Sequence, residues 1–460
     1  MVVLCLGAGL LFSIRTRFMQ VRGFAEMIRL LFRGHSSAAG ISSFQALMVS
    51  LAGRIGVGNI AGIATAIAAG GPGAVFWMWV MAFFGASTAY VESTLAQIYK
   101  EKDEQGRYRG GPAYFIEKGL GKKWFAWLFA VAMTLSCGFL LPGVQANEIA
   151  NGLGNAWAVP GWAVAAGVVL LLGFIIFGGV KRIAHFAEVA VPFMAAAYVL
   201  IAILILIVHA DRVPGMFALI FQSAFGQDAV FGGLAGAAIM WGVKRGIYSN
   251  EAGQGTGPHA AAAAEVSHPA KQGFVQAFSI YFDTFLICTA TSVMILATGK
   301  YNVRTPDGQN WLVQHIPGIE SGTGYAQAAV ETLMPGFGAG FIAIALFFFA
   351  FTTIMAYYYI AETNVAYINR AVHRPWLILL LRFTVLAAVV IGIYRSGGAT
   401  WKLGDIGVGL TTWLNIIAIL ILQKPAMLAL KDYERQKKAG KDPAFDPDAA
   451  GIKHADIWRQ

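Results

Sequence analysis

The sequence predicts an all-α polytopic membrane protein of about eleven spans: one extra N-terminal helix, then a 5+5 inverted repeat whose first and sixth core helices are broken. Three observations carry this. The 460 residues are 57% hydrophobic and only 13% charged, with mean hydropathy +0.62, whereas a soluble domain carries about 25% charged residues. The apolar runs reach bilayer-crossing length and alternate with short polar loops. Two runs, in corresponding positions of the two halves, are interrupted by glycine and polar residues, a pattern that marks the binding site of a secondary transporter.

In chain order the spans are expected near 2–14, 42–68, 72–99, 124–151, 160–179, 183–208, 213–243, 272–298, 338–368, 375–394 and 401–422. The organisation that follows is a short span and basic loop (1–41), a first repeat (42–209), a second repeat (210–423) and a polar tail (424–460). The first span is short. It carries neither the leading positive charge nor the small-residue cleavage site of a signal peptide, and it reads as a span that begins late.

The basic residues set the orientation. The loops after alternate spans, with the tail, hold 27 of the 34 Lys and Arg, and the opposite loops hold five; Arg54 and Arg382 fall inside spans. Basic loops face the cytoplasm, so the N-terminus is expected outside, the C-terminus inside, and the chain in a plasma membrane of bacterial inner-membrane type. The net charge of +10 is then loop charge and implies no nucleic acid. The loop 299–337 is expected outside, with a short helix over Gly324–Met334 placed to act as a lid.

The first interrupted span contains SLAGRIGVGNIAG at 50–62. Glycine costs a helix roughly 1 kcal/mol relative to alanine, and four of them around Asn59 predict a deliberate break. Broken helices persist in a bilayer only where the freed backbone lines a cavity or meets a solute. The exposed amides of Val57 and Gly58 suit a carboxylate, and the carbonyls of Ala52 and Ile55 suit a hard monovalent cation, with Asn59 adding an amide oxygen. The second break is expected within 213–243, at Gln222–Asp228. In the ninth span Thr352 and Thr353 can complete an oxygen cage for sodium. Glu92, Glu148, Glu188 and Asp283 are intramembrane acids, each costly unless paired or hydrated, and any of them can carry a proton. Asp283 and Asn59 are candidates for a second ion site or a gate. Gln145 is the preferred side-chain contact for a small polar solute, and Arg54 is expected to pair with an acid near the inner gate.

Enzymatic chemistry finds no footing. The glycines at 253, 255 and 257 follow no strand and precede no Lys-Ser/Thr, so they make no phosphate loop, and the stretch 246–268 reads as a cytoplasmic gate or short hinged helix. Neither His259 and His268 nor Cys5, Cys137 and Cys288 have metal-ligand spacing, so no transition-metal site and no cofactor beyond a coupling ion is expected. The partners expected are a small polar solute, a monovalent cation and the lipid bilayer, with no obligatory protein partner.

The segment GGPGAVFWMW at 70–79, running on to Gly85, resembles the hallmark of the alanine or glycine:cation symporters, the sodium:alanine symporter family. GVGNIAG at 56–62, GGPAYFIEKGLG at 110–121, VQAN at 144–147, SAF at 223–225, SNEAGQG at 249–255 and HPAKQGFVQAF at 268–278 extend the resemblance over nearly the whole chain. It implies a leucine-transporter-type fold and Na+- or H+-driven uptake of a small neutral amino acid, alanine, glycine or a similar one, by alternating access. It also implies sodium ligands at Ala52, Ile55, Phe349, Thr352 and Thr353, and substrate contacts at Val57, Gly58, Gln145 and Phe225. The aromatics of the hallmark are expected to pack their helix rather than to bind substrate. Many members have Thr at the position of Val57 and Trp at that of Tyr357. Both positions are expected beside the ligand, which makes Tyr357 a further substrate-binding residue, and the smaller Tyr357 leaves room for a larger side chain such as glutamine's. The rival from another class is an uncoupled channel or facilitator.

Overall fold

The computed structural model describes residues 1–32 and 39–459; part of the expected basic loop 15–41, Arg33 included, lies outside them. Helix α1 (Val2–Arg15) and the short α2 (Phe24–Leu31) precede the core. The first broken helix is α3 (Ser43–Arg54), then a π-helical turn at Gly58–Gly62, then α4 (Ile63–Gly70). Ser42 caps α3 reciprocally with Gln45, which fixes where the helix starts. The two halves bend by 53° at the break.

Next come α5 (Gly73–Ile98), a two-stranded hairpin of β1 (Glu101–Lys102) and β2 (Tyr108–Arg109), and α6 (Pro112–Leu120). The long α7 (Lys123–Trp157), α8 (Gly161–Ile176) and α9 (Gly179–Val208) complete the first half. The second half holds α10 (Val213–Ala224), α11 (Ala235–Asn250), α12 (Gly257–Ala263) and α13 (Pro269–Thr298). A second hairpin, β3 (Asn302–Arg304) with β4 (Trp311–Gln314), leads to α14 (Thr323–Glu331), which lies where a short helix was expected. Helices α15 (Gly338–Val372), α16 (Trp376–Tyr394) and α17 (Gly397–Lys438) end the core.

Among the described residues seven helices are long and apolar enough to cross a bilayer, or eight with the bent pair, and α1 and α8 are shorter apolar helices. Their outward faces carry large apolar side chains, such as Leu170, Phe174, Phe193 and Phe383. Soluble monomers rarely leave so much apolar surface uncovered, whereas lipid solvates it.

The packing falls into two groups. Helix α5 lies along α13 and α11 beside the broken α3–α4, while α7 packs on α15 and α16; α9 contacts both α3 and α15, and α17 crosses from α5 to α7. At the seam of this arrangement sit the two breaks.

The seventh expected span, 213–243, differs. Gln222–Asp228 does not interrupt one membrane helix; it covers the last turn of α10 and the residues after it, and the chain turns before a new helix begins at Ala235. The second break comes about 25 residues later, at Glu251–Thr256 between α11 and α12. Lys244 and Arg245, read as loop residues, lie inside α11, where both pair with the single carboxylate of Asp405 of α17, across 2.7 and 3.0 Å.

The tail is docked. The Phe445 N–H donates to Ser267 O (2.9 Å) and the Trp458 indole N–H to Gln97 O (2.9 Å). His268, buried against Tyr433 and Phe445, accepts the Ala270 N–H on Nδ1 (3.1 Å), so its own proton sits on Nε2 and goes to Asp432 (3.2 Å). Burial pushes this imidazole down to about 4, below an ordinary histidine near 6.5. The folded value is depressed, so the contribution is complete above 6.5 and is lost as pH falls from there through 4. Limited proteolysis is expected to release the 439–459 segment faster at pH 5 than at pH 7.5, and the His268→Asn variant should flatten that difference.

Candidate functional site

Helix α3 stops because its last amides are turned elsewhere. The Gly56 N–H goes to Asn59 Oδ1 (2.8 Å) and Arg54 O (2.9 Å), and the Asn59 N–H to Gly56 O (3.2 Å). Their regular partners four residues back, the carbonyls of Ala52 and Ile55, are therefore released. Thr353 of α15 fills the gap: its hydroxyl lies 2.8 Å from Ala52 O, 3.4 Å from Ile55 O and 2.9 Å from Phe349 O. The four oxygens converge from both helix groups within a fully buried site. Thr352 stands beside them, its hydroxyl bonded back to Phe348 O (2.9 Å) and to the shared Phe349 O (3.0 Å), the usual habit of a helical threonine. All five residues expected to hold a cation are brought together, with Thr353 at the centre and Thr352 at the edge. Neutral carbonyl and hydroxyl oxygens at this spacing fit a small hard cation.

The Val57 N–H donates to Gln145 Oε1 (3.0 Å). The side-chain oxygen of α7 thus occupies the place where a carboxylate would meet the break. A Cβ on Gly56 would come 2.5 Å from Thr353 Oγ1 and 2.9 Å from Gln145 Oε1, so only glycine lets the two sites approach this closely. Gly58 is pressed against Ser249 and Tyr248 of α11. Beyond it, Asn59 donates to Asp283 Oδ1 (2.6 Å) and Cys288 Sγ (3.3 Å), and its carbonyl accepts from Thr291 (2.6 Å). Asp283 also accepts from Ser249 (3.1 Å) and Thr284 (2.9 Å). Asn59 and Asp283 therefore form one network, walled by neutral donors.

The break between α11 and α12 is held by three elements. Glu251 ends α11 in a left-handed turn (φ 57°), and Gly253 and Gly255 follow at φ 82° and 85°, where a side chain would be strained. Glu92 of α5 accepts the Gly253 N–H (3.3 Å) and the Asn415 amide (2.7 Å), and Asn415 of α17 also donates to Gly253 O (2.9 Å). Thr256 donates to Glu251 (2.7 Å), and the Tyr357 hydroxyl approaches the same carboxylate. Tyr357 is thus placed at the second break, one turn along α15 from Thr353. Arg54 joins the breaks. It donates to Asn250 O (2.8 Å), Gln276 Oε1 (3.0 Å) and the Ser279 hydroxyl, and among the described residues it makes no ion pair within 4 Å, so the expected direct pairing with an acid is replaced by a field: Glu251, Glu92 and Asp283 are its charged neighbours.

Phe225 is not brought to the site. It is 56% exposed and packs at a tilt against Phe76 and Trp77; with the break displaced to Glu251–Thr256, the SAF motif belongs to the end of α10. The hallmark aromatics pack there, Trp77 donating to Ala224 O (3.2 Å) and Trp79 to Thr289 (2.9 Å). Glu188 accepts from Gln45 (3.1 Å) at the start of α3, away from both breaks.

Above the breaks opens a cavity of about 890 Å³ between α4, α7, α11, α14 and α17, within the range of small-molecule sites. Trp401 lies at its floor, and Tyr248, its ring centroid 5.0 Å from that of Trp401, lies beneath it and packs against Gly58. Glu148 accepts from Trp401 Nε1 (3.0 Å) and Thr323 (2.7 Å), tying α14 to the floor. The opposite end is closed. Gln97 donates to the carbonyls of Ala261 and Ala264, Lys100 donates to Ala264 O (2.9 Å), and Arg109 reaches Thr363 (3.2 Å) and Glu362 (3.4 Å). Ile41 bridges the start of α3 to the end of α12 there. Sequence reasoning missed Glu251, Thr256, Tyr248, Trp401 and Asn415; the signal for the first two was an acid followed by glycines at 253 and 255.

One open end, one closed end and two helix breaks holding oxygens and amides between them describe a carrier. The comparisons agree. YrbD of Bacillus subtilis (strain 168), provisionally named a sodium/proton-dependent alanine carrier protein, is 61% identical over 459 residues, covering 100% of this chain and 94% of that protein. The sodium/proton-dependent alanine carrier protein of Bacillus sp. (strain PS3) is 56% identical, covering 94% and 97%. GlnT of Bacillus subtilis (strain 168), provisionally named a sodium/glutamine symporter, is 45% identical, covering 97% and 90%. The model of the sodium:alanine symporter family matches residues 1–447, and the chain belongs to that family of membrane transporters.

Proposed function

We propose that this protein is a secondary active transporter that couples inward movement of a small neutral amino acid, alanine foremost, to sodium. The observation that carries the reading is the Thr353 hydroxyl meeting the carbonyls of Ala52, Ile55 and Phe349. Sodium held there joins the first break to α15 and so joins the two helix groups. The amino-acid carboxylate takes the Val57 and Gly58 amides, displacing the Gln145 oxygen, which is then free to accept from the ammonium group. Both solutes bridge the groups that must separate for the closed end to open, so each favours the same conformation. A ligand shifts a conformational equilibrium only by its differential affinity for the two states, and sharing one seam gives sodium and amino acid that shared preference.

The orientation follows the basic loops, with the N-terminus outside, the C-terminus in the cytoplasm of a bacterial-type inner membrane, and the 890 Å³ vestibule facing out. Repeats 42–209 and 210–423 are read as the two inverted units, with breaks at 55–57 and 251–256. Proton coupling is a second reading, favoured by the sodium/proton naming of the relatives; a glutamine preference is favoured by the relative at 45% identity and the modest bulk of Tyr357.

Labelled alanine supplied to proteoliposomes is expected to accumulate above equilibrium under an inward sodium gradient and to relax when monensin collapses it. Equilibration at the same rate without any gradient would make the protein a facilitator. Imposing a pH gradient alone decides between the ions.

A further inference from the structure

We propose that the floor of the vestibule is a first, sodium-independent docking site for a zwitterionic amino acid, with Arg245 facing the carboxylate and Glu148 facing the ammonium group. This rests on the amino-acid reading above and adds a second site to it.

The two charges flank one indole. The Arg245 guanidinium carbon lies 4.3 Å from the centre of the Trp401 ring, and the Trp401 N–H is 3.0 Å from Glu148 Oε1. Both charged residues are nearly buried, at 3% and 4% exposure, and both line the 890 Å³ cavity. Neither charge is balanced within the protein. Glu148 is held by the neutral donors Trp401 and Thr323, and among the described residues no Lys or Arg pairs with it. At the other side a single carboxylate, Asp405, serves two cations, Lys244 at 2.7 Å and Arg245 at 3.0 Å, which leaves one positive charge in excess. Arg245 Nε is buried with no partner. Uncompensated charge in a poorly hydrated site is costly, and the molecule that relieves both ends at once carries one positive and one negative charge a few ångströms apart. A carboxylic acid or an amine alone relieves only one.

The position adds a function to the chemistry. Tyr248 lies beneath Trp401 and against Gly58, so a zwitterion docked on Trp401 sits directly above the first break, on the path to it. The site selects for α-amino acids before sodium is engaged.

The test uses the purified full-length chain in sodium-free choline buffer and reads tryptophan fluorescence during alanine titration. A saturable change is expected for the wild type, absent in Trp401→Phe, with propionate and ethylamine each producing none. Glu148→Gln is expected to weaken the titration at least tenfold; Arg245→Gln does the same and serves if the first variant does not fold. Absence of a saturable, Trp401-dependent change in the wild type overturns the proposal, as does an equal response to propionate or ethylamine, or unchanged titration in a folded Glu148→Gln or Arg245→Gln protein. The two readings fail separately. Loss of sodium-driven accumulation with the fluorescence change intact removes the coupling and leaves the docking site, and the reverse result removes the docking site alone.

Discussion

Thr353→Ala is expected to raise the sodium concentration for half-maximal alanine uptake at least tenfold, or to abolish sodium-driven uptake, while Thr352→Ala shifts it by a factor of a few. The difference comes from geometry. The Thr353 hydroxyl spans from α15 to the released carbonyls of Ala52 and Ile55, whereas that of Thr352 reaches only carbonyls of its own helix. Removing Thr353 takes one oxygen from the cage and also breaks the tie between the helix groups, and a hydrogen bond to a charged group contributes about 1.5–3 kcal/mol, or roughly ten- to hundredfold in affinity. Uptake assays with sodium varied at fixed pH measure both variants. Equal shifts for the two, or no shift for Thr353→Ala, would remove the cage from this position.

Arg54→Met is expected to have the largest effect on the folded protein. Arg54 is 1% exposed and donates to three acceptors that join the two breaks and α13. It is also the cation that Glu92, Glu251 and Asp283 have in common. Methionine fills much of the volume but leaves those carboxylates without a counter-charge, and uncompensating a buried charge costs about 3–5 kcal/mol. Such a loss consumes a large part of a typical folding free energy. The variant should elute as aggregate in detergent or lose at least 10 °C in thermal unfolding, and Arg54→Lys should recover part of it. Wild-type stability in Arg54→Met would show that the carboxylates find their compensation elsewhere.

Much of this arrangement could be read from the residues. The first break announces itself because four glycines around Asn59 have no place in an ordinary span, and released carbonyls follow from any break. Thr352 and Thr353 drew attention as hydroxyls in an apolar helix, yet their inequality rests on which one faces α3, a matter of helix rotation that the adjacent pair does not reveal. The second break was misplaced for a physical reason. Lys244 and Arg245 interrupt the apolar run and so look like a loop, but Asp405, 160 residues from Arg245, pairs with both of them inside α11. With the helix ended too early, Ser249–Gly255 became loop and the break was set at Gln222–Asp228, around the Phe225 that the family resemblance implies as a substrate contact. Long-range charge pairing hides a helix from any local reading. The same blindness kept Trp401 and Tyr248 out of view, because an aromatic floor is made by two helices and announced by neither.

The central claim is that sodium and the amino acid share one seam and therefore move together. Coupling of this kind is reciprocal, so it can be driven from either side. Proteoliposomes with equal sodium inside and outside, voltage clamped by potassium and valinomycin, should take up labelled sodium against no gradient when alanine is added outside. The uptake should vanish in Thr353→Ala. Alanine influx that leaves labelled sodium movement unchanged would contradict the account.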